Sequence, residues 1–294
     1  DEYDTAFFDK RSKFLHYRAK TAIFNTLEYD HADIFSDLAA IEQQFHHFVR
    51  AIPRSGLIVA NAADSALARV LARGCWTPIE HFANGKGWEA RALDAEAFSV
   101  SLAGNEQGRV HWSLIGEHNR SNALAAIAAA RHAGVDPGTA CAALGRFENV
   151  KRRMELCGIA AGVAVYDDFA HHPTAIATTV AGLRRKVGKA RILAVLEPRS
   201  NTMKLGVMKD ALPGSFAEAD LVYCYSAKLG WDPAAALAPL GAKAVCHQDL
   251  DTLVAAVVAA AAPGDQVLVM SNGGFGGIHQ KLLDRLSATV ALKC

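Results

Sequence analysis

Residues 165–174 read V-Y-D-D-F-A-H-H-P-T and place a strand, a polar turn and a helix start in immediate succession. An apolar run ends in Asp167 and Asp168, two histidines follow, and Pro173 opens an amphipathic segment. In open α/β sheets, ligand sites form at the carboxyl ends of strands. These titratable groups therefore predict a functional site. The alternative is that Asp167, Asp168 and His172 only cap the helix that begins at Pro173.

Short β-branched runs alternate with helical segments from Gly162 to the end of the chain. Near-continuous apolar strands that alternate with helices predict a parallel sheet covered on both faces. We therefore predict an α/β fold with a doubly wound, Rossmann-like domain over residues 151–294. Its predicted strands are V-A-V-Y, R-I-L-A-V-L, D-L-V-Y-C-Y, K-A-V-C-H and Q-V-L-V-M-S. The predicted helices between them are A-T-T-V-A-G-L-R-R-K-V, M-K-D-A-L-P-G-S-F-A-E-A, P-A-A-A-L-A-P-L and L-D-T-L-V-A-A-V-V-A-A-A.

Residues 1–150 have a less regular α/β pattern and form the first predicted domain. T-A-I-F-N-T-L and G-L-I-V-A-N are typical of strands, and a helix is expected from Ser36, which we predict to be its N-cap. Short alternating segments from Phe98 to Ile115 predict a hairpin region. A long alanine-rich helix is predicted from Asn119 to Gly134, followed by another in P-G-T-A-C-A-A-L-G-R-F.

The overall composition favours small-molecule chemistry. The 294 residues include 31 Lys and Arg against 30 Asp and Glu, so no global field attracts nucleic acid. The longest apolar candidate, Leu253 to Ala262, is too short to span a bilayer, so no membrane contact is expected. Six cysteines without a C-x-x-C pair, Cys294 among them, indicate reduced thiols in a cytoplasm. A start without Met or a leader indicates a piece of something longer.

Two segments of the first half carry candidate ligands. L-E-Y-D-H-A-D, residues 27–33, follows a predicted strand, and its acids and single imidazole suit a divalent metal. Solvated loop acids explain this segment equally well. G-E-H-N-R-S-N opens the alanine-rich helix, where Asn119 and Asn122 share a face and suit a purine edge. Helix capping would explain Asn119 but not Asn122.

Three segments of the second half carry candidate anion-binding groups. In K-R-R-M-E, Arg152 and Arg153 suit phosphate, although arginines in a linker are more often solvated. In L-E-P-R-S-N-T-M-K, Arg199 and Lys204 suit a substrate carboxylate. The glycines of S-N-G-G-F-G-G-I-H-Q-K, residues 271–281, allow an anion to approach the backbone at a helix start.

Several common catalytic motifs are missing from the sequence. It contains no G-x-x-x-x-G-K-[ST] phosphate loop and no G-x-G-x-x-G, and N-G-K-G at residues 84–87 does not replace them. The G-x-S-x-G motif of serine hydrolases and the H-E-x-x-H motif of zinc proteases are also absent. A metal-dependent hydrolase stays open as an alternative. The paired His46 and His47 lie in an apolar helical segment and are interpreted as structural.

Taken in order, the motifs resemble those of the Mur ligases over essentially the whole chain. D-D-x-x-H-H-P-T is shared with the members that add L-alanine, whereas E-P-R-S-N-T-M-K and S-N-G-G-F-G-G-I-H-Q-K favour the members that add a murein tripeptide. The resemblance implies a central ATP-binding domain, incomplete at its start, followed by the Rossmann-like domain. It also implies ATP-dependent joining of UDP-N-acetylmuramate to L-alanyl-γ-D-glutamyl-meso-diaminopimelate through an acyl phosphate, with Mg²⁺, in cytoplasmic peptidoglycan recycling.

The resemblance also assigns roles to individual residues. His31 would be a Mg²⁺ ligand, and Arg153 and Asp168 would reach ATP from the second domain. Phe169 stands where the L-alanine-adding members have Tyr, so a hydroxyl contact would be lost. Adenine would be held by His118, Asn119 and Asn122, and the peptide by His171, His172, Arg199, Thr202 and Lys204.

Two departures from the family pattern limit what we expect of this chain alone. The family's phosphate loop, a Mg²⁺-binding Glu and the UDP-binding domain all lie upstream of D-E-Y-D. We therefore expect little or no ligase activity from the chain by itself. His46 stands where several relatives carry a carbamylated lysine. The L-alanine-adding members lack that lysine as well. An L-alanine ligase and a non-catalytic nucleotide- or peptide-binding module are the alternatives.

Overall fold

A computed structural model describes residues 2–83, 85, 87–94, 96–112, 114 and 116–291, except the side chains of 290 and 291. Asn84 and Lys86 of N-G-K-G, the end of the predicted hairpin region at Ile115, and Cys294 lie outside the described residues. The chain divides into two compact units, residues 1–148 and 149–294. In the part of the chain that is described, no helix is long and apolar enough to cross a membrane.

The first unit contains a small antiparallel ribbon and a six-stranded sheet. The ribbon consists of β1 (Asp4–Ala6) and β2 (Asp9–Ser12). In the sheet, strands one to four run parallel and strands four to six form an antiparallel meander, in chain order across the sheet. These strands are β3 (Thr21–Phe24), β4 (Leu57–Asn61), β5 (Ile79–Phe82), β6 (Trp88–Ala92), β7 (Ala97–Leu102) and β8 (Asn105–His111).

Four helices pack on the sheet of the first unit: α1 (Leu38–Ala51), α2 (Ser65–Ala72), α3 (Glu117–His132) and α4 (Pro137–Leu144). The predicted helix over α1 is confirmed, but its N-cap is wrong. Asp37, and not Ser36, occupies that position, and its carboxylate accepts a hydrogen bond from the Ala40 amide at 2.8 Å.

The second unit is the doubly wound sheet that the sequence predicts. Five parallel strands stand in the order β13-β12-β11-β14-β10, and β9 joins the β10 edge antiparallel. The strands are β9 (Glu155–Ala160), β10 (Val163–Asp168), β11 (Ile192–Leu196), β12 (Leu221–Tyr225), β13 (Ala244–His247) and β14 (Gln266–Met270). The helices are α5 (Pro173–Val187), α6 (Asn201–Leu205), α7 (Leu212–Ser215), α8 (Pro233–Leu237), α9 (Leu250–Ala260) and α10 (Ile278–Ala291).

Both faces of this sheet are covered, which explains why its strands are apolar at almost every position. Ile176 and Leu183 of α5 pack with α7 and α8 against one face. Leu253 of α9 and Leu282 of α10 pack against the other. The sheet therefore positions the carboxyl ends of β10, β11 and β14 at one edge, where their loops meet.

Two features of the second unit differ from prediction. The segment predicted as one helix, M-K-D-A-L-P-G-S-F-A-E-A, is a short 3-10 turn followed by the four residues of α7, which contain Pro213 and Gly214. Strand β9 is not predicted. Its Leu156 and Ile159 are 50% and 66% exposed, so it lacks the buried apolar pattern that identifies the other strands.

Candidate functional site

Asp168, at the end of β10, is 3% exposed. Its carboxylate accepts hydrogen bonds from the Met154 amide at 2.8 Å, the Ala170 amide at 2.8 Å and the Thr179 hydroxyl at 3.3 Å. Burial raises the pKa of Asp168 above its usual range. The side chain thus ties β9, the loop after β10 and α5 together.

Asp167 forms a separate network on the other face of the strand end. Its Oδ2 atom lies 3.0 Å from Arg152 Nε, and its Oδ1 atom lies 3.2 Å from His279 Nε2. Burial lowers the pKa of His279, and the Asp167 charge opposes this change. The two neighbouring aspartates therefore have different partners, and helix capping does not explain them. The N-cap of α5 is His172, whose side chain makes no capping hydrogen bond.

Arg152 joins the strand end to the glycine-rich loop. Its Nη2 atom donates to the carbonyl oxygens of Ser271 at 2.6 Å and Gly273 at 2.8 Å. The sequence left open whether Arg152 binds phosphate or is solvated, and the structure uses it internally. Arg153 is exposed instead and is the arginine that is available to a ligand.

Phe169, which follows β10, contacts the exposed Arg153 and the half-buried His171. The Arg153 guanidinium lies 5.9 Å from the centroid of the Phe169 ring, and the His171 ring meets it edge-on at 5.4 Å. His171 Nδ1 lies 2.9 Å from the Phe169 carbonyl oxygen. Asp168, Arg153 and His171 are thus brought together at one strand end.

The carboxyl end of β11 lies beside the glycine-rich loop. Ser271 donates to the Glu197 carboxylate at 2.5 Å, and the Gly273 amide donates to the Ser271 hydroxyl at 2.9 Å. A Cβ atom on Gly273 would collide with the Arg199 side chain, so glycine at this position makes room for that arginine. The Asn272 Oδ1 atom is buried and has no hydrogen-bond partner.

The three predicted peptide-binding residues of this region differ in exposure. Arg199 and Lys204 are exposed, whereas Thr202 is 2% exposed. Ser200 is the N-cap of α6, and its hydroxyl accepts from the Met203 amide at 3.3 Å. The predicted carboxylate-binding groups are therefore open to solvent, but Thr202 lies inside the fold and does not suit direct contact with a substrate.

A pocket of about 890 Å³ lies next to α6, beyond the ends of β12 and β13. The Gly230 amide donates to the Lys204 carbonyl oxygen at 3.3 Å, and the Trp231 indole donates to the Met203 carbonyl oxygen at 2.7 Å. This pocket was not predictable from the sequence, because S-A-K-L-G-W-D carries no recognisable motif. Its lining includes Lys228, Trp231, Asp232 and Cys246.

In the first unit, Asn119 and Asn122 lie on the first turns of α3, whose N-cap is Gly116. Asn122 is exposed, and its Oδ1 atom accepts from the Asn25 amide group at 2.8 Å, which ties α3 to the end of β3. His118 is also exposed on the first turn. The adenine-binding role of His118, Asn119 and Asn122 stays a prediction, and these residues supply no cradle for phosphates.

His31 has a left-handed backbone, with φ of 53°, and lies beside the β1–β2 ribbon. Its Nε2 atom is 3.3 Å from the Glu2 carboxylate, and the Tyr3 ring lies at 4.8 Å. The hydrogen bond to Glu2 raises the pKa of His31. Among the described residues, no three His, Cys, Asp or Glu side chains converge to hold a metal ion. These residues alone therefore do not fit a magnesium site.

Comparison with known families matches both units. Residues 6–130 match the Mur ligase middle domain, and residues 152–273 match the Mur ligase, glutamate ligase domain. The chain is 56% identical, over 98% of its length, to the UDP-N-acetylmuramate–L-alanyl-γ-D-glutamyl-meso-2,6-diaminoheptandioate ligase of Escherichia coli. The ligase of the same name from Haemophilus influenzae is 51% identical over 97% of the chain. The chain spans 64% of the length of each.

A solved structure supports the same relationship. The murein peptide ligase of Psychrobacter arcticus superposes with a TM-score of 0.74 at 45% identity, covering 98% of this chain and 62% of that protein. A UDP-N-acetylmuramate–L-alanine ligase from a Mycobacterium species is more distant, at 32% identity over 93% of this chain and 61% of that protein.

Proposed function

Because this chain belongs to the Mur ligase family, we propose that it carries the middle and C-terminal domains of an ATP-dependent amide ligase. The proposed reaction joins UDP-N-acetylmuramate to L-alanyl-γ-D-glutamyl-meso-diaminopimelate in peptidoglycan recycling. The observation that carries the proposal is the 56% identity to the Escherichia coli ligase over 98% of the chain. Since ATP and UDP-sugars are cytoplasmic, we place the reaction in the cytoplasm.

In this proposal the exposed cations of the second unit bind the peptide, which carries several carboxylates. Arg199 offers a planar guanidinium that matches a carboxylate, and Lys204 adds a point charge one helical turn later. His171 and His172 contribute polar contacts at the neighbouring strand end, and the pocket beside α6 gives space for the peptide. Thr202 acts indirectly, because it is buried beneath these groups.

Joining a carboxylate to an amine through an acyl phosphate requires positioning and the neutralisation of phosphate charge. Arg153 is the exposed cation for this task, and the Phe169 ring orients it. Asp168 positions the Met154 and Ala170 backbone rather than contacting ATP, because three internal donors already engage its carboxylate. His118, Asn119 and Asn122 contact adenine in the first unit. His31 is proposed to contribute to Mg²⁺ binding only together with ligands outside the described set.

The proposal can be tested in a chimera in which this chain replaces the corresponding part of the Escherichia coli relative. We expect ADP release and amide product with the tripeptide and UDP-N-acetylmuramate, and little product with L-alanine. Product with L-alanine alone, or ADP release without amide formation, would refute the proposed substrate.

The contribution of the cations can be tested in the same chimera. We expect Arg199→Ala to raise the KM for the tripeptide by about ten-fold, the effect of losing one charged hydrogen bond. Arg185→Ala is the matched control, because Arg185 is exposed on the last turn of α5, at the opposite edge of the sheet. An equal change in both variants would contradict the assigned role of Arg199.

A further inference from the structure

Two cysteines face each other across the edge of the second unit's sheet. Cys224 of β12 and Cys246 of β13 are direct partners in the parallel register, and both side chains pack against the same hydrophobic cluster. Neighbouring strands lie about 4.8 Å apart, within the separation of about 4.4–6.8 Å between Cα atoms that a disulfide requires. Each thiol also shifts the pKa of the other, as expected of close neighbours. The register therefore gives this pair the backbone spacing that a disulfide bond requires.

The two thiols differ in access. Cys224 is fully buried, whereas Cys246 is half-buried and lines the pocket beside α6. Strand β13 is the edge strand of the sheet, so its outer side has no neighbouring strand to restrain it. A small molecule in the pocket can thus reach Cys246 but not Cys224.

The two thiols also differ in acidity. The neighbouring Cys224 thiol lowers the pKa of Cys246, although burial and the nearby Asp232 oppose this change. The Cys246 thiol, together with burial, raises the pKa of Cys224 well above its usual value. Cys224 Sγ donates to the Tyr225 carbonyl oxygen at 3.8 Å. Because the thiolate is the nucleophile, Cys246 reacts first.

We propose that Cys246 is a site of thiol–disulfide exchange with small disulfides, and that Cys224 is its resolving thiol. In the first step, the Cys246 thiolate attacks one sulfur of the small disulfide, forms a mixed disulfide and releases one thiolate. In the second step, Cys224 loses its proton and attacks the Cys246 sulfur, forming the Cys224–Cys246 bond and releasing the second thiolate. The protein loses two electrons and two protons, and the small disulfide becomes two thiols.

The exchange would change the pocket in two stages. A mixed disulfide on Cys246 fills the space between Lys228, Trp231 and Asp232, which line the same pocket. The second step clears that space and links β13 covalently to β12. Reduction by a small thiol reverses both stages, since the same two sulfurs are attacked in reverse order.

The test is to incubate the reduced chain with oxidised glutathione, block the remaining thiols by alkylation and map the products by mass spectrometry. We expect a Cys224–Cys246 disulfide and release of two glutathione molecules per chain. In Cys224→Ala the glutathionyl group should stay on Cys246, and in Cys246→Ala neither product should form.

Cys157 provides the internal control. Its side chain is exposed, but partial burial of the thiol and the neighbouring acids raise its pKa. Cys246 should react about ten-fold faster than Cys157 despite its lower exposure. Cys157→Ala should leave the exchange unchanged. Glutathionylation of Cys157 with Cys246 still reduced would overturn the proposal. The proposal would also be overturned if both Cys224 and Cys246 of the wild-type chain were alkylated after incubation with oxidised glutathione. This outcome does not depend on the folding of any variant.

Discussion

Arg152→Ala tests whether the internal arginine or its exposed neighbour stabilises the second unit. The substitution removes three hydrogen bonds, to Asp167 Oδ2 at 3.0 Å and to the carbonyl oxygens of Ser271 at 2.6 Å and Gly273 at 2.8 Å. It also leaves the Asp167 carboxylate, which is 8% exposed, without its cation. The glycine-rich loop loses the side chain that links it to Asp167 at the same time.

The magnitude follows from these contacts. Breaking a buried ion pair by removing one partner costs about 3–5 kcal/mol. The Arg152 side chain is 30% exposed, so water can replace part of what is lost. We therefore expect about 2–3 kcal/mol of lost unfolding free energy, or a fall in Tm of about 5–10 °C. Arg153→Ala, one residue away and exposed, should cost about 0.5 kcal/mol or less.

Urea unfolding of the whole chain measures the free energies, and hydrogen exchange at residues 271–277 reports the loop itself. Exchange there should accelerate in Arg152→Ala and stay unchanged in Arg153→Ala. Adding Asp167→Asn to Arg152→Ala should recover part of the loss, because it neutralises the unpaired buried carboxylate. Equal stability of Arg152→Ala and Arg153→Ala would refute the reasoning.

Three further predictions follow from the structure. Asp37→Ala should destabilise the chain by about 1 kcal/mol in urea unfolding, through loss of the α1 cap, whereas a larger effect of Ser36→Ala would restore Ser36 as the cap. Gly206→Ala should lower the free energy of unfolding by about 1 kcal/mol more than Gly264→Ala. Both glycines have positive φ, but only at Gly206 would a Cβ atom collide with an indole ring, that of Trp231 at 2.8 Å. Equal losses in the two variants would contradict the clash. Because Glu2 raises the pKa of His31 above 6.5, the stability that Glu2 contributes is fully present below pH 6.5 and lost as the pH rises through the folded pKa. Unfolding of wild type and Glu2→Gln should therefore differ at about pH 6 and converge at about pH 9, and a constant difference would exclude titration of His31.

Most of the strand pattern could be predicted from the residues alone. Strands β10, β11, β12 and β14 were predictable because a strand buried on both faces is apolar at nearly every position. The partly exposed edge strand β13 was predictable from its apolar and β-branched residues. Strand β9 was not, because one of its sides is exposed and its sequence lacks that signal. The helix predicted over M-K-D-A-L-P-G-S-F-A-E-A was wrong, since Pro213 and Gly214 interrupt it.

The candidate site was predictable only as a set of residue types. The motifs place acids, histidines and arginines after strands whose ends share an edge, which is a property of every parallel sheet. The separate roles of Asp167 and Asp168 were not predictable, because successive residues of a strand point to opposite faces and their partners come from elsewhere in the chain. At this edge His279 contacts Asp167, and Ser271 contacts Glu197. The two members of each pair are more than seventy residues apart in the sequence.

The sequence by itself determined the fold class and the family, because the periodicity of apolar residues and the order of motifs are local properties of the chain. Only the tertiary structure decided that Arg152 turns inward while Arg153 stays exposed, that Gly273 makes room for Arg199, and that Cys224 faces Cys246. The physical reason is that strand order and register bring distant residues together. They are set by how the whole sheet packs between its helices, and no single segment encodes them.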